Sequence, residues 1–182
     1  MFKEQKSTTI EQTKYIHSGE IGIAAGKALL ASSPLGSCVA FIAYDVKTKT
    51  GGLAHIMLPG NTTDKATYNK DKYAAPAIDH MLEELQKKGV LLENIEVCLA
   101  GGANVLKRPD DTIANEVVSS VLAIVKEKDL KVKATTLGGF ERRTVSLNTE
   151  NGEVYYTQGD RNTKVLWKFS KKINQNKGIT IE

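Results

Sequence analysis

Two apolar β runs, Val39–Val46 (VAFIAYDV) and Leu53–Leu58 (LAHIML), stand only six residues apart, joined by KTKTGG. Their β-branched and aromatic content is that of strands with both faces covered. A connection this short makes them antiparallel neighbours, because a parallel return needs a crossover of about a dozen residues or more. The reading is a hairpin, with Gly51-Gly52 supplying the positive φ of its turn.

The periodicity then changes. From Tyr73 to Lys88, residues Ala74, Ala77, Ile78, Met81, Leu82 and Leu85 fall on one helical stripe. Pro76 belongs in the first turn and Gly89 is the stop. IEVCLA is a strand that opens into Gly101-Gly102-Ala103-Asn104. Thr112–Lys126 is a second helix, capped by Asp110-Asp111-Thr112, with Ile113, Val117, Val118, Val121, Leu122 and Val125 inward. GEIGIAAGKALLAS and KVKATTLGG add strands, and RTVSLNTENGEVYYTQ reads as a hairpin around Asn151-Gly152. Hairpins mixed with two helices make an α+β domain whose sheet is mainly antiparallel or mixed. Neither GxGxxG nor GKS/T follows a strand, so a doubly wound nucleotide-binding fold is not expected. The expected organisation is a polar extension over 1–14, one domain over 15–158 and a basic extension over 159–182.

Charge narrows the partners. Lys and Arg number 25 against 21 acids, yet Lys164–Glu182 alone carries five lysines and one acid, leaving 20 of each sign elsewhere. A neutral body is not that of a nucleic-acid binder. No apolar run reaches the ~20 residues of a membrane span. The opening MFKEQKSTTIEQTK has no apolar core, so a secretory signal is not expected and a cytoplasmic protein is. The histidines 17, 55 and 80 show no metal-ligand spacing, and Cys38 and Cys98 no CxxC pairing, so no metal and no cofactor are expected. Cys98 lies inside its β run and reads as core; His80 reads as a solvated helix residue.

Cys38 differs from Cys98, because it stands at the start of a β run, directly after Leu35-Gly36-Ser37. His55 follows on the next run. If the hairpin forms, thiol and imidazole approach one another, as a thiolate–imidazolium pair requires. Spacing by itself leaves open a buried apolar cysteine and a hydrogen-bonded core histidine.

Leu35-Gly36-Ser37-Cys38-Val39-Ala40, then Asp45, Gly52 and His55-Ile56-Met57-Leu58-Pro59, resembles the signature of the CheD family, the chemoreceptor glutamine deamidases of bacterial and archaeal chemotaxis. Gly19-Glu20, Tyr73-Ala74, Gly101-Gly102-Ala103-Asn104, Leu137-Gly138-Gly139 and Arg142-Arg143 extend the likeness from about Tyr15 to Tyr156. The resemblance implies a three-layer α/β sandwich and a cysteine hydrolase, with Cys38 as nucleophile and His55 as general base and acid. Ser32 stands where the family usually has the threonine that completes the set. Pro34 and Ile113-Ala114-Asn115-Glu116-Val117 depart from the family pattern. The implied partners are the cytoplasmic helices of chemoreceptors (methyl-accepting chemotaxis proteins), whose glutamines become glutamates with release of ammonia, and a CheC-type phosphatase. The alternative is a weakly active binding partner that regulates such a phosphatase. A third reading is an unrelated small-molecule amidase.

In the tail, Val165, Leu166, Phe169 and Ile173 form a helical stripe among lysines. It reads first as a terminal helix that packs Trp167 onto the domain, and second as a docking element for a partner or an acidic membrane face.

Overall fold

A computed structural model describes residues 10–62 and 69–170. The inner sheet runs β2 (Ile21–Ala25), β5 (Thr50–Ile56), β4 (Val39–Asp45), β6 (Glu96–Gly101) and β7 (Lys131–Leu137). The outer sheet runs β1 (Gln12–Ile16), β3 (Ala28–Ser32), β8 (Arg143–Asn148), β9 (Glu153–Gln158) and β10 (Lys164–Lys168). The pairs β1/β3 and β6/β7 are parallel, and all others are antiparallel. Helices α1 (Ala74–Lys87) and α2 (Ile113–Glu127) cover the far side of the inner sheet. This is the expected α+β sandwich of three layers: sheet, sheet, helices.

Burial explains the layering. Every residue of β4 and β5 is buried, so both faces of these central strands need cover. Val39, Phe41 and Ala43 pack against Ala77, Ile78, Met81, Val117 and Val121 of the helices. The alternate residues Ala40, Ile42 and Tyr44 pack against Leu30, Val145, Leu147 and Val154 of the outer sheet. The period-two alternation thus divides the apolar surface between two cores. Cys98 is fully buried in the inter-sheet core, where burial pushes its thiol pKa up to about 12. It is core, as expected.

The hairpin forms as read, but its turn does not. Gly51 and Gly52 lie inside β5 rather than in the bend, and the positive φ belongs to Lys49. The turn is held by Asp45, whose carboxylate accepts from the Lys47 N–H and the Thr48 hydroxyl, both at 2.9 Å. The two glycines thin the strand instead. A Cβ on Gly51 would lie 2.5 Å from Leu147 Cδ2, on the outer-sheet side. One on Gly52 would lie 2.6 Å from Met81 Sδ, on the helix side.

Helix α1 buries the six residues expected of it, and Pro76 sits in its first turn. Helix α2 buries Ala114, Val117, Val121 and Val125, whereas Leu122 is exposed and Val118 only partly buried, so its apolar stripe is narrower than expected. Asp111 supplies the cap, accepting from the Ile113 N–H at 3.2 Å. The second hairpin turns at Gly152, where φ is +71°.

The helical reading of the tail is corrected. Residues 164–168 form β10, the outer sheet's edge strand, with a bulge between Val165 and Trp167. The bulge breaks strict alternation, so Leu166 and Trp167 both reach the inter-sheet core. That spacing resembles a helical stripe in the sequence. Trp167 does pack on the domain, and Phe169 stacks on Tyr44 with ring centroids 5.3 Å apart. Lys168 pairs with Glu153 at 2.7 Å across the strand pair, leaving charge on an edge that would otherwise invite further pairing. Ile173, Lys171, Lys172 and Lys177 lie outside the described residues.

Gly51→Ala tests the packing of the inner sheet. The added methyl meets Leu147, Tyr44 Cδ2 at 2.9 Å and the Ala43 carbonyl at 3.1 Å. Overpacking of this kind costs ~1–3 kcal/mol, which urea titration reads directly. An unchanged midpoint would mean that the two sheets do not meet closely there.

Candidate active site

The site lies at one end of the sandwich, where Cys38 leads into β4 and His55 closes β5. Strand pairing sets Ala40 opposite His55, so their side chains share the face turned to the outer sheet. Cys38 stands two residues before Ala40 and packs on the same inter-sheet core. The two expected reacting groups therefore share one face of the sheet, on a diagonal of the β4/β5 pair. Cys38 is half-buried, and His55 has no exposed surface.

Three loops hold the Cys38 segment. The Leu35 N–H donates to the Arg143 carbonyl at 2.7 Å, and the Arg143 N–H returns to Leu35 at 3.0 Å. The N–H groups of Gly102 and Ala103 donate to the carbonyls of Cys38 and Gly36, each at 2.8 Å. Gly101 permits this approach: its φ is +116°, and a Cβ there would sit 2.2 Å from the Cys38 carbonyl oxygen. Gly101-Gly102 is thus a backbone clamp on the cysteine. The Gly138 N–H donates to Gly101 and the Asn104 N–H to Gly139, which ties in the third loop.

Arg143 is buried, and burial lowers its pKa. Its guanidinium donates to Thr136 Oγ1 at 3.0 Å and to the Gly138 carbonyl at 2.8 Å, bracing that loop. Arg142 is exposed and faces Asp160. One arginine of the pair points outward, as expected; the other is an internal brace.

His55 is fixed through both backbone and ring. Its N–H donates to Glu20 and its carbonyl accepts from Gly19, pinning the turn between β1 and β2. Ring Nδ1 lies 3.4 Å from the Ile16 carbonyl and 3.3 Å from Ser33 Oγ. A carbonyl only accepts, so the neutral ring carries its proton on Nδ1. The lone pair of Nε2 then faces Ser18 Oγ, 3.3 Å away.

The structure places the Ser33 hydroxyl, rather than that of Ser32, against the imidazole. Ser32 is buried at the end of β3, and its Oγ accepts the Val145 N–H at 3.0 Å across the strand pair. Ser33, one residue on, has left the strand, and it is its hydroxyl that reaches the imidazole. Alternation at the strand end decides between the two. Pro34 contributes by holding Ser33 extended as the chain turns away. Ser18 was not among the expected site residues. It is exposed, in a polar turn whose only sequence signal is the following Gly19-Glu20.

The protonation states also differ from the expected ion pair. Burial holds the Cys38 thiol above its ordinary pKa, and only weaker hydrogen bonds from its own N–H and from the Ser18 hydroxyl oppose this. Burial likewise holds His55 below 6.5; the Ile16 carbonyl opposes this, His17 adds to it and Glu20 opposes it. Both shifts favour the uncharged thiol and the uncharged imidazole over their ionised forms. That arrangement suits a nucleophile activated by proton transfer. His17 lies on the exposed turn, and His80 is on α1, 2.9 Å from Asp71 and away from the site. Among the described residues, no group of three or more His, Cys, Asp or Glu is placed to hold a metal.

Residues 57–158 match the family described as CheD chemotactic sensory transduction, a segment that begins two residues after His55. Matches to individual proteins cover more of the chain. One, named probable chemoreceptor glutamine deamidase CheD, from Chlorobium luteolum, is 39% identical over 153 residues, spanning 84% of this chain and 76% of that protein. The chemoreceptor glutamine deamidase CheD of Thermotoga maritima is 35% identical over 143 residues, 78% of this chain and 88% of its own length. A probable counterpart from Archaeoglobus fulgidus is 35% identical over 148 residues, 78% and 91% of the two chains. These matches place the chain in the CheD family.

Proposed function

We propose that this protein is a chemoreceptor glutamine deamidase that uses Cys38 as its nucleophile. The observation that carries the reading is that Cys38 and His55 share one face of the inner sheet, with the imidazole's Nδ1 set against the Ile16 carbonyl. The relatives' names supply the substrate: glutamine side chains of chemoreceptors, here taken to lie on the receptors' cytoplasmic helices.

Cys38 loses its proton to the His55 side and attacks the carboxamide carbon, giving a tetrahedral oxyanion. The backbone N–H of Cys38, next to the nucleophilic sulfur in the chain, is the candidate donor for that oxyanion. Protonated His55 hands its proton to the departing ammonia, leaving a thioester. Neutral His55 then takes a proton from water, which attacks the thioester; the C–S bond breaks, glutamate leaves, and the proton on His55 returns to the Cys38 sulfur. Ser33 replaces Ser32 as the hydroxyl that holds Nδ1 and hence the tautomer. Half-burial of Cys38 beside the exposed Ser18 suits a residue presented by a protein surface better than a small molecule that must be engulfed. A CheC-type phosphatase is a second partner in this reading; pull-down with purified phosphatase tests it separately.

Receptor fragments incubated with the protein should release one ammonia per converted glutamine, read by mass spectrometry. Cys38→Ala should abolish the release, and conversion at the wild-type rate would refute the assignment. His55→Ala should cost ~10²–10⁴ in kcat. Because His55 is held below 6.5, kcat/KM should fall, as pH drops, through a midpoint below 6.5, where Nε2 takes up a proton.

The two serines separate cleanly. Ser33→Ala should lower kcat by ~2–10-fold, the worth of one hydrogen bond, with little loss of stability. Ser32→Ala should leave kcat intact but cost ~1–3 kcal/mol of stability by orphaning the Val145 N–H. The opposite pattern in paired kinetics and thermal melts would restore Ser32 to the site.

A further inference from the structure

The chain reversal from Ile16 to Glu20, between β1 and β2, wraps around His55. The Ile16 carbonyl lies 3.4 Å from Nδ1 and the Ser18 hydroxyl 3.3 Å from Nε2, so one short segment addresses both ring nitrogens. The Gly19 N–H donates to the His55 carbonyl at 2.8 Å, and the Glu20 carbonyl accepts the His55 N–H at 2.9 Å. The ring has no exposed surface, whereas Ser18 is exposed. Water can serve an exposed hydroxyl from outside, yet this one is turned onto a buried nitrogen.

Position 19 fixes that orientation. Its φ is +76°, and a Cβ there would lie 2.7 Å from Lys72 Cγ and 3.0 Å from Asn69 Nδ2, so the turn demands glycine. Asn69 Nδ2 donates to the Gly19 carbonyl at 2.9 Å, and the Glu20 carboxylate accepts the His17 N–H at 2.8 Å, which ties the turn down on both sides of Ser18.

We propose that Ser18 is a positioning residue that holds His55 Nε2 while the ring gains and loses its proton. With the ring neutral and protonated on Nδ1, the Ser18 O–H donates to the Nε2 lone pair. When Nε2 takes up a proton, the hydroxyl rotates about its C–O bond and its oxygen accepts the new N–H. A hydroxyl is donor and acceptor at once, so both states are served without moving a heavy atom, and Ser18 itself gains and loses no proton. The bond to the charged ring is the stronger of the two, because an imidazolium donor makes it charge-assisted. Ser18 thus supports the protonated ring that burial opposes. Ser33 serves Nδ1 and the tautomer; Ser18 serves the nitrogen that works.

The deamidase reading makes Nε2 the working nitrogen, and the kinetic arm of the test rests on it; the spectroscopic arm does not. In the spectroscopic arm, long-range proton–nitrogen NMR spectra of the free protein follow the His55 ring across pH, with its signals assigned by their loss in His55→Gln. Ser18→Val and Ser18→Thr are of similar size and differ in the hydroxyl. The ring of Ser18→Thr should keep its proton on Nδ1 and titrate as in wild type. That of Ser18→Val should titrate at lower pH, since its imidazolium has lost an acceptor. His17 and Glu20 on the turn, Lys72 against Gly19, and Cys38 on the inter-sheet side are titratable groups around the ring and its turn. All are present in both variants, so the difference reads the hydroxyl. In the kinetic arm, Ser18→Val should lose roughly tenfold in kcat at nearly unchanged KM, and Ser18→Thr should recover most of the loss.

A Ser18→Val ring that titrates together with the Ser18→Thr ring or above it, both proteins folded by circular dichroism, would overturn the proposal. So would a Ser18→Val kcat equal to that of wild type. Should valine unfold the turn, Ser18→Ala takes its place with the same outcomes. If wild type releases no ammonia while the two titrations still differ as expected, the positioning role stands and the deamidase reading falls.

Discussion

The register of β4 against β5 decides which side of the inner sheet His55 faces. Ala40 opposite His55 turns the imidazole toward the outer sheet, and carries Cys38, two residues earlier, to the same side. A slip of one residue would move His55 into the helix-facing core and separate the pair. The register is protected because both strands are buried on both faces and because Asp45 fixes the turn between them. The glycines at 51 and 52 serve the same end, since any larger residue would push a neighbouring layer away.

Burial has two consequences at this site. It fixes His55 in one tautomer by giving Nδ1 the Ile16 carbonyl and the Ser33 hydroxyl as near neighbours. It also raises the energy of every charged form, so thiol and imidazole both rest uncharged. A pre-formed thiolate would be reactive toward any passing electrophile. A neutral thiol is less exposed to such side reactions. The Gly101–Asn104 clamp completes the design by fixing the Cys38 carbonyl.

Most of the architecture was legible from periodicity, because α1, the β4/β5 hairpin and the Asn151-Gly152 turn each carry a local pattern that tertiary packing reinforces. That Cys38 and His55 lie on one face of the sheet was legible because a short hairpin sets the strands carrying them side by side. Three features were not. Ser32 and Ser33 differ by one position at a strand end, and only the geometry of β3 shows which one meets the ring. Ser18 approaches through the chain reversal between β1 and β2, a long-range contact with no local signal. The tail read as helix because a β-bulge at Val165/Trp167 produces the same apolar spacing as a helical stripe.

Trapping the covalent intermediate tests the central claim most directly. Wild-type protein mixed with a glutamine-containing receptor fragment and quenched in acid within the first turnover should carry the fragment, less one ammonia, on the peptide that contains Cys38. Turnover with no such adduct, or an adduct on any other residue, would contradict the account.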